Sequence, residues 1–415
     1  MSPTTSELLR VFTRIGLLSF GGPAAQISVM HRELVEQRPW LTEQQFLNAL
    51  SFCMLLPGPE AMQLATYCGW PLRGVPGGLI AGLLFVIPRA IVMGLLAALY
   101  ASLGSVPLVE ALFLGIKACV VIIVLQALLK VARKALQSTD RWIIAALSFI
   151  AIFAFATPFP LIISLAAAYG AWRGGTTDAL APPLARANTL RTLAIWGTLW
   201  WAPIVLLWAS GAALLTQIGL FFSKLAIVTF GGAYAVLAYM TQEVVQGQGW
   251  LSTAQMMDGL GLAETTPGPL ILVTEFVGFL AGHSAGGLPL AIVAATLTLW
   301  VTFIPCFLWI FLGAPYIDWI STRPRLTGAL SSITAAVVGV ILNLSLWFAL
   351  HVFFGTLTQT KVGPATLLFP DLTTLDPRAL VLALGAGFLL IRMKWDLLAV
   401  LGFVAMSGVV LTQLT

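Results

Sequence analysis

Charged residues are scarce in this chain. Only 9% of its 415 residues are Asp, Glu, Lys or Arg, whereas 59% are hydrophobic. So few charges cannot cover the surface of a water-soluble protein of 44.3 kDa, and the mean hydropathy of +0.97 indicates a bilayer instead. The net charge of +5 is too small to suggest a nucleic-acid-binding surface. We therefore expect an integral membrane protein that is surrounded by lipid and has no nucleic-acid partner.

Cysteine and histidine are rare as well. The four cysteines stand singly, with no Cys-x-x-Cys pair, and the three histidines are far apart in the sequence. These spacings do not favour a metal site, a disulfide framework or a nucleophile triad. The sequence also lacks a Walker motif and any haem or flavin signature. We predict no metal, no cofactor and no enzymatic activity.

Long apolar runs account for much of the chain. Five are long enough to cross a bilayer as helices, and two shorter pairs accompany them. The long runs are 75–100, 108–129, 194–217, 288–313 and 327–350, and the shorter pairs are 142–156 with 158–172 and 379–391 with 395–411. The pattern predicts a multi-pass, all-α membrane protein.

A segment of forty residues occurs twice without a gap. Phe20-Gly21-Gly22 recurs as Phe230-Gly231-Gly232, and Pro57-Gly58-Pro59 recurs as Pro267-Gly268-Pro269, in both cases 210 positions later. Fourteen of the forty positions are identical. A second block, 88–126, aligns with 305–343 at an offset of 217. The chain is therefore a duplication, and a hydrophobic duplication interrupted by Gly and Pro is typical of secondary transporters.

The basic residues fall on opposite sides of the two copies. The loop 31–38 carries His31, Arg32 and Arg38, whereas the equivalent loop 241–249 has no Lys or Arg. Because short basic loops stay in the cytoplasm, we predict that the copies are inserted with opposite topology.

We divide the chain into three parts. They are an N-terminal repeat (1–173), a cytoplasmic linker with one connecting transmembrane helix near 194–217 (174–221), and an inverted C-terminal repeat (222–415). If the segments 8–37 and 41–72 are re-entrant helical hairpins, each repeat crosses the membrane an even number of times. One extra crossing between the repeats then inverts the second repeat. The predicted fold is thus an all-α integral membrane protein with two inverted-topology repeats, re-entrant hairpins and one extra transmembrane helix. Whether those segments re-enter or cross completely is left open.

The repeated Gly and Pro motifs break helices, and the half-helices that follow present N–H groups at their positive ends. Such breaks are tolerated at membrane depth where they line a polar cavity or pack against protein. We therefore predict an oxyanion site at these breaks. Its residues are Ser19, Phe20, Gly21, Gly22, Pro57, Gly58, Pro59, Thr229, Phe230, Gly231, Gly232, Pro267, Gly268 and Pro269. The alternative is that the glycines serve close helix packing.

Isolated charges at membrane depth extend the prediction. We expect Arg89, Lys117 and the equivalent pair Arg14 and Lys224 to attract the anion, although all but Arg89 could instead snorkel to the headgroups. The candidates for proton coupling are the acids Glu60, Glu264 and Glu275, and the alternative for each is a pairing with a buried base.

Together, the motifs resemble those of the chromate ion transporter family in its long, two-domain form. The resemblance covers nearly the whole chain and rests on Phe12-x-Arg14-Ile15-x-x-x-Ser19-Phe20-Gly21-Gly22-Pro23, Trp40-Leu41-Thr42 and Leu56-Pro57-Gly58-Pro59, each with its second copy. There are departures, because Met54 and Glu264 stand where the family would have glutamine and Arg89 stands where small residues are usual. These departures concern substrate choice and coupling.

The resemblance implies export of chromate across the bacterial inner membrane, driven by the membrane potential, a proton gradient or both, and resistance to chromate. Sulfate has the same charge and shape, so a porter for sulfate or a related oxyanion is the first alternative. A membrane-embedded enzyme or sensor is the second. The preference between the anions, the proton stoichiometry and assembly as a homodimer are left open by the sequence.

Overall fold

The computed structural model describes residues 3–18, 23–104, 106–175, 186–230, 233–265, 270–317, 323–363 and 365–414. Nearly all of these residues are helical. The first copy contains α1 (Thr5–Leu18), α2 (Pro23–His31), α3 (Glu43–Cys53), α4 (Glu60–Leu103), α5 (Pro107–Ala135), α6 (Thr139–Phe155) and α7 (Phe159–Arg173). The rest contains α8 (Arg186–Ala209), α9 (Ala213–Val228), α10 (Ala233–Gln242), α11 (Thr253–Thr265), α12 (Val273–Gly313), α13 (Pro324–Phe353), α14 (Pro377–Gly387) and α15 (Leu397–Leu414).

A short antiparallel β-hairpin follows α13. Its strands are β1 (Leu357–Val362) and β2 (Ala365–Pro370), with Thr358 opposite Phe369. The hairpin has no counterpart after α5 and was not predicted from the sequence. With this one addition, the all-α membrane class is confirmed.

The repeated sequence folds into repeated local structure. α2 and α10 each continue into a π-helical turn, Arg32–Glu36 and Glu243–Gly247. The chain then bends back in the same way in both copies, because the N–H of Trp40 donates to Leu34 O at 3.1 Å and that of Trp250 donates to Val244 O at 3.0 Å.

The helices that follow these bends begin with matching caps. The Thr42 hydroxyl accepts from the Gln45 N–H at 3.2 Å, and the Gln45 side chain accepts from the Thr42 N–H at 2.9 Å. Ser252 and Gln255 repeat both bonds at the same distances. Such a capping box fixes the first residue of a helix, and here it starts α3 and α11 at equivalent points.

α4 and α12 are each two helices joined by a tight turn. The backbone leaves helical geometry at Arg73–Gly74 and at Gly286–Gly287, where φ is +62° at Gly74 and +69° at Gly287. A Cβ on Gly69 would lie 2.7 Å from that of Ala81. In a straight helix, residues twelve positions apart would be about 18 Å apart. The chain therefore folds back on itself, which separates the arm 60–72 from the predicted membrane run that starts at 75.

Five helical segments among the described residues are long and apolar enough to cross a membrane. They are Glu60–Leu103, Pro107–Ala135, Thr189–Ala209, Leu270–Tyr316 and Pro324–Phe353, and they match the five apolar runs of the sequence. Large apolar side chains on them are exposed, for example Leu95 at 67% and Leu206 at 70%. Because such residues would be costly to leave in water, these surfaces face lipid.

The predicted extent of the connecting helix, 194–217, was wrong. α8 ends at Ala209, a turn at Gly211 follows, and the chain re-enters a helix at Ala213. Residues 213–217 therefore belong to α9. The apolar composition continues through the turn, so hydropathy alone does not reveal it.

The chain forms two compact units, and each unit takes helices from both copies. Unit 1 comprises Met1–Ala98, Gly174–Ala233 and Thr266–Thr327, and unit 2 comprises Leu99–Arg173, Tyr234–Thr265 and Gly328–Thr415. In unit 1, α8 packs on α9 and α12: the Trp200 indole donates to the Ser223 hydroxyl at 3.0 Å, and Trp196 stacks on Phe307. The boundaries of the sequence repeats therefore differ from those of the compact units.

In unit 2, helices of each copy pack on helices of the other. Gly115 of α5 packs directly on the Val404 carbonyl of α15, and Gly170 of α7 packs on the Gly328 carbonyl of α13. α13 is the counterpart of α5, and α15 is the counterpart of α7. If the two copies are interchanged, the packing of α5 on α15 becomes the packing of α13 on α7. Such reciprocal packing is expected for repeats related by a two-fold axis.

Candidate functional site

Nine of the predicted anion-site residues lie outside the described residues. They are Ser19, Phe20, Gly21, Gly22, Gly231, Gly232, Pro267, Gly268 and Pro269. The helices on their C-terminal sides begin where the sequence predicted. α2 starts at Pro23, α10 starts at Ala233, and a 3-10 turn at Leu270–Leu272 leads into α12.

The first Pro-Gly-Pro turn, in unit 1, contacts the helix break of the second copy. The N–H of Gly58 donates to the carbonyl oxygen of Thr229 at 2.8 Å. Gly58 has a φ of +121°, which disfavours any residue with a side chain. A Cβ at Gly58 would lie 2.8 Å from Gln63 Nε2 and 2.9 Å from Cys306 Sγ. The backbone is therefore tightly enclosed by two side chains of unit 1.

Two uncharged polar side chains beside this turn are buried. The Gln63 side chain is fully buried, and its Nε2 donates to Pro57 O at 2.7 Å. Its Oε1 is buried with no hydrogen-bond partner among the described residues. Thr229 is 3% exposed and donates its hydroxyl to Leu225 O at 2.6 Å. The site thus combines a buried amide and a buried hydroxyl with a turn that is half-buried.

The N-terminal end of α4, where the helix dipole is positive, lies at the same turn. Its first backbone hydrogen bond runs from the Gln63 N–H to Pro59 O at 3.1 Å, so the helix dipole begins at Pro-Gly-Pro. Glu60, one of the candidate proton carriers, is the half-buried first residue of this helix. Glu60 therefore lies at the positive end of the α4 dipole.

Arg89 is buried within unit 1 and is 2% exposed. Its guanidinium lies 4.0 Å from the centre of the Phe85 ring, and Nη1 donates to Phe85 O at 3.0 Å. The side chain therefore keeps its charge inside the protein, supported by a carbonyl and an aromatic face one turn earlier. Arg89 does not reach a headgroup.

Arg14 has an acidic partner that the sequence analysis missed. Its Nε lies 3.3 Å from Glu33 Oε1, and Arg38 pairs with the other oxygen of the same carboxylate. Glu33 is fully buried, so the two arginines neutralise a charge that would otherwise be costly. The identity of Glu33 and Glu243 in the two copies was a signal that could have directed attention here. Lys224, the counterpart of Arg14, is exposed on α9.

Lys117, in unit 2, also has an acidic partner. Its Nζ lies 2.9 Å from Asp258 Oδ1, and the hydroxyl of Tyr100, in the last turn of α4, donates to Asp258 Oδ2 at 2.7 Å. Asp258 lies on α11, so the ion pair joins a helix of each copy. The sequence analysis did not identify Asp258 or Tyr100. One signal was present, because Asp258 aligns with the uncharged Asn48 of the first copy.

The other two acids lie in different units. Glu264, in unit 2, accepts a hydrogen bond from the Tyr234 hydroxyl at 2.9 Å. Glu275, in unit 1, is 4% exposed, and its Oε2 has no hydrogen-bond partner among the described residues. The ion pairs found in the described part of the chain include neither residue. Their pairing with a buried base, the alternative raised by the sequence, is therefore not observed there.

Comparison with known proteins identifies relatives over most of the chain. A family model described as "Chromate transporter" matches residues 6–171 and 216–410. A chromate transport protein of Cupriavidus metallidurans is 30% identical over 348 residues, which cover 81% of each chain. A chromate transport protein of Pseudomonas aeruginosa is 32% identical over 347 residues, 81% of this chain and 79% of the relative.

A third relative is a probable chromate transport protein of Synechococcus elongatus, which is 30% identical over 339 residues, 81% of this chain and 82% of the relative. No solved structure matches the chain significantly.

Proposed function

The chain belongs to the chromate transporter family, and we propose that it exports the chromate dianion across the bacterial inner membrane and so confers resistance to chromate. It is a multi-pass membrane transport protein and not an enzyme. The finer points, which are the direction, the driving force and the site, rest on the arguments that follow.

The hydrogen bond between Gly58 and Thr229 gives the strongest support for an anion site at the helix breaks. It brings the break of one copy to the break of the other at the positive end of α4. Backbone and amide N–H groups at a helix N-terminus bind oxyanions without needing a full positive charge. We place the dianion at this junction, with the other Gly-Gly and Pro-Gly-Pro residues completing the site.

The membrane potential can drive this export. In a cell that is negative inside, a leaving dianion gains about 4.6 kcal/mol per 100 mV, from two charges at about 2.3 each. That is equivalent to about a thousandfold gradient, since about 1.4 kcal/mol is tenfold. Uptake driven by the same potential would need more than two co-transported protons, because only then would the transported unit carry a net positive charge. Export is therefore the direction that the charge of the substrate favours.

Inverted insertion of the two repeats is part of the proposal. The reciprocal packing of α5 on α15 and of α13 on α7 supports a two-fold relation, and the basic loops support opposite orientation. Glu60, Glu264 and Glu275 are retained as candidates for proton transfer, because each is an acid at or next to a helix break.

Flux into inverted membrane vesicles tests the proposal. With an imposed potential, positive inside the vesicle, chromate should accumulate in vesicles that contain the protein and not in matched vesicles that lack it. Excess sulfate should slow the uptake of chromate if both anions share the site. Accumulation of sulfate without chromate would identify the protein as a sulfate porter instead. Absence of flux for both anions would contradict the proposal.

A further inference from the structure

Asp258 is held at both of its oxygens by groups from other helices. Lys117 of α5 lies 2.9 Å from Oδ1, and Tyr100 donates to Oδ2 at 2.7 Å. The Asp258 side chain is 9% exposed, whereas that of Lys117 is 19% exposed. Lys117 is therefore the more exposed of the two side chains.

The duplication does not repeat this cluster. Asp258 aligns with Asn48 and Lys117 aligns with Thr334, so neither charge has a counterpart in the other copy. The capping boxes and bends that build the fold, in contrast, are present in both copies. The equivalent positions in the other copy fold without these charges. A charge pair at membrane depth that is not needed for folding indicates a function.

We propose that Asp258 binds the proton that accompanies the dianion, and that the dianion displaces Asp258 from Lys117 at a second position on its path, separate from the Gly58–Thr229 junction. This inference rests on the proposed function, because it assigns the coupling of the same transport. One proton then accompanies each dianion, and the transported unit carries a single net negative charge.

The exchange balances in charge and in atoms. Without substrate, the Asp258 carboxylate pairs with the Lys117 ammonium. When the dianion takes the ammonium, a carboxylate beside it would be buried, repelled and unpaired, so it binds one proton. Lys117 neither gains nor loses a proton in this exchange. When the dianion leaves, Asp258 releases its proton and pairs with Lys117 again.

The surroundings of Asp258 suit this exchange. Tyr100 can donate to the carboxylate and can accept from the protonated acid, because a phenol does both. Glu110, an exposed acid near the start of α5, also acts on Asp258 electrostatically. Its negative charge adds to the preference for a protonated Asp258 once Lys117 is engaged.

The number of charges moved per dianion tests the inference. Purified full-length protein is placed in vesicles with equal pH on both sides, at a pH where chromate is the dianion, and the steady chromate gradient is measured at an imposed potential. At about 60 mV, two moved charges sustain about a hundredfold gradient and one moved charge sustains about tenfold. We expect about tenfold for the natural protein and about a hundredfold for Asp258→Asn, which places in the second copy the residue of the first.

Asp396→Asn is the matched control, since it makes the same change at an exposed acid that caps α15, and it should keep the tenfold gradient. A hundredfold gradient in the natural protein would overturn the inference without need of any variant. A tenfold gradient in both the natural protein and Asp258→Asn would assign the proton to another residue. Absence of any gradient in the natural protein would contradict the proposed function itself, and so the two failures are distinguishable.

Discussion

The N–H of Gly58 and the carbonyl oxygen of Thr229 lie 2.8 Å apart and join the helix breaks of the two copies. Gly58 belongs to the Pro-Gly-Pro turn of the first copy, and Thr229 directly precedes the Phe-Gly-Gly of the second. The bond closes across copies, so neither repeat could form this junction alone. The duplication is therefore an essential part of the candidate site.

Substitution of Gly58 by alanine should destabilise the junction and impair transport. The residue has a φ of +121°, and a Cβ would approach Gln63 Nε2 to 2.8 Å and Cys306 Sγ to 2.9 Å. A strained backbone of this kind costs roughly 1–3 kcal/mol. We expect a lower melting temperature in detergent and loss of chromate flux. Gly402→Ala is the control, because a Cβ there would meet no atom within 4 Å. Normal flux and stability in Gly58→Ala would show that the turn tolerates a side chain.

Much of the fold follows from local sequence signals. Gly and Pro at fixed positions end and restart helices, and the pairs Thr42 with Gln45 and Ser252 with Gln255 set the starts of α3 and α11. These signals act within a few residues, and so one sequence is enough to read them. The five long apolar runs were predictable for the same reason, and the duplication was predictable because fourteen of forty aligned positions are identical.

The partners of the buried charges were not predictable. Tyr100 and Asp258 are 158 positions apart and meet because α11 of one copy packs on α5 of the other. Sequence periodicity identifies a buried charge but does not identify the side chain that faces it. The end of α8 was missed for a different reason, because the turn at Gly211 lies inside continuous apolar sequence.

Opposite insertion of the repeats predicts opposite labelling of two equivalent bends. Gln37 and Gln248 are exposed, and each follows the π-helical turn of its copy. The four natural cysteines are buried, so background reaction with a polar thiol reagent should be low. We expect Gln248→Cys to react from outside intact cells and Gln37→Cys to react only after permeabilisation. The same accessibility for both would contradict inverted topology.

The link between α2 and α3 should weaken as the pH rises. His31 Nε2 lies 2.7 Å from Glu43 Oε2, and Nδ1 lies 3.0 Å from Glu36 Oε1. The hydrogen bond with Glu43, aided by Glu36, raises the pKa of His31 above its usual value. The stabilisation is therefore complete below about pH 6.5, the ordinary value, and is lost as the pH rises through the raised pKa of the folded state.

Melting curves of the natural protein and of His31→Gln test this effect. The natural protein should be more stable than the variant at about pH 5.5, and the difference should disappear at about pH 9. A partly exposed pair contributes about 1 kcal/mol or less, so the shift will be small. A difference that is constant with pH would assign the contribution of His31 to its packing on Phe46.

Arg89 should set anion affinity from inside unit 1. The side chain is 2% exposed and is held by the Phe85 carbonyl and ring, so its charge is not shared with the headgroups. A point charge acts on any dianion of the same size, and therefore Arg89→Gln should weaken chromate and sulfate together. Charged hydrogen bonds contribute roughly 1.5–3 kcal/mol, which corresponds to at least a tenfold loss of affinity.

Arg89→Lys should restore part of the lost affinity if charge alone matters, and none if the planar guanidinium must bind two oxygens at once. Arg73→Gln, at the exposed turn of the same hairpin, is the matched control and should bind normally. Unchanged affinity in correctly inserted Arg89→Gln would remove Arg89 from the anion site and leave that role to Lys117 and the N–H groups at the helix breaks.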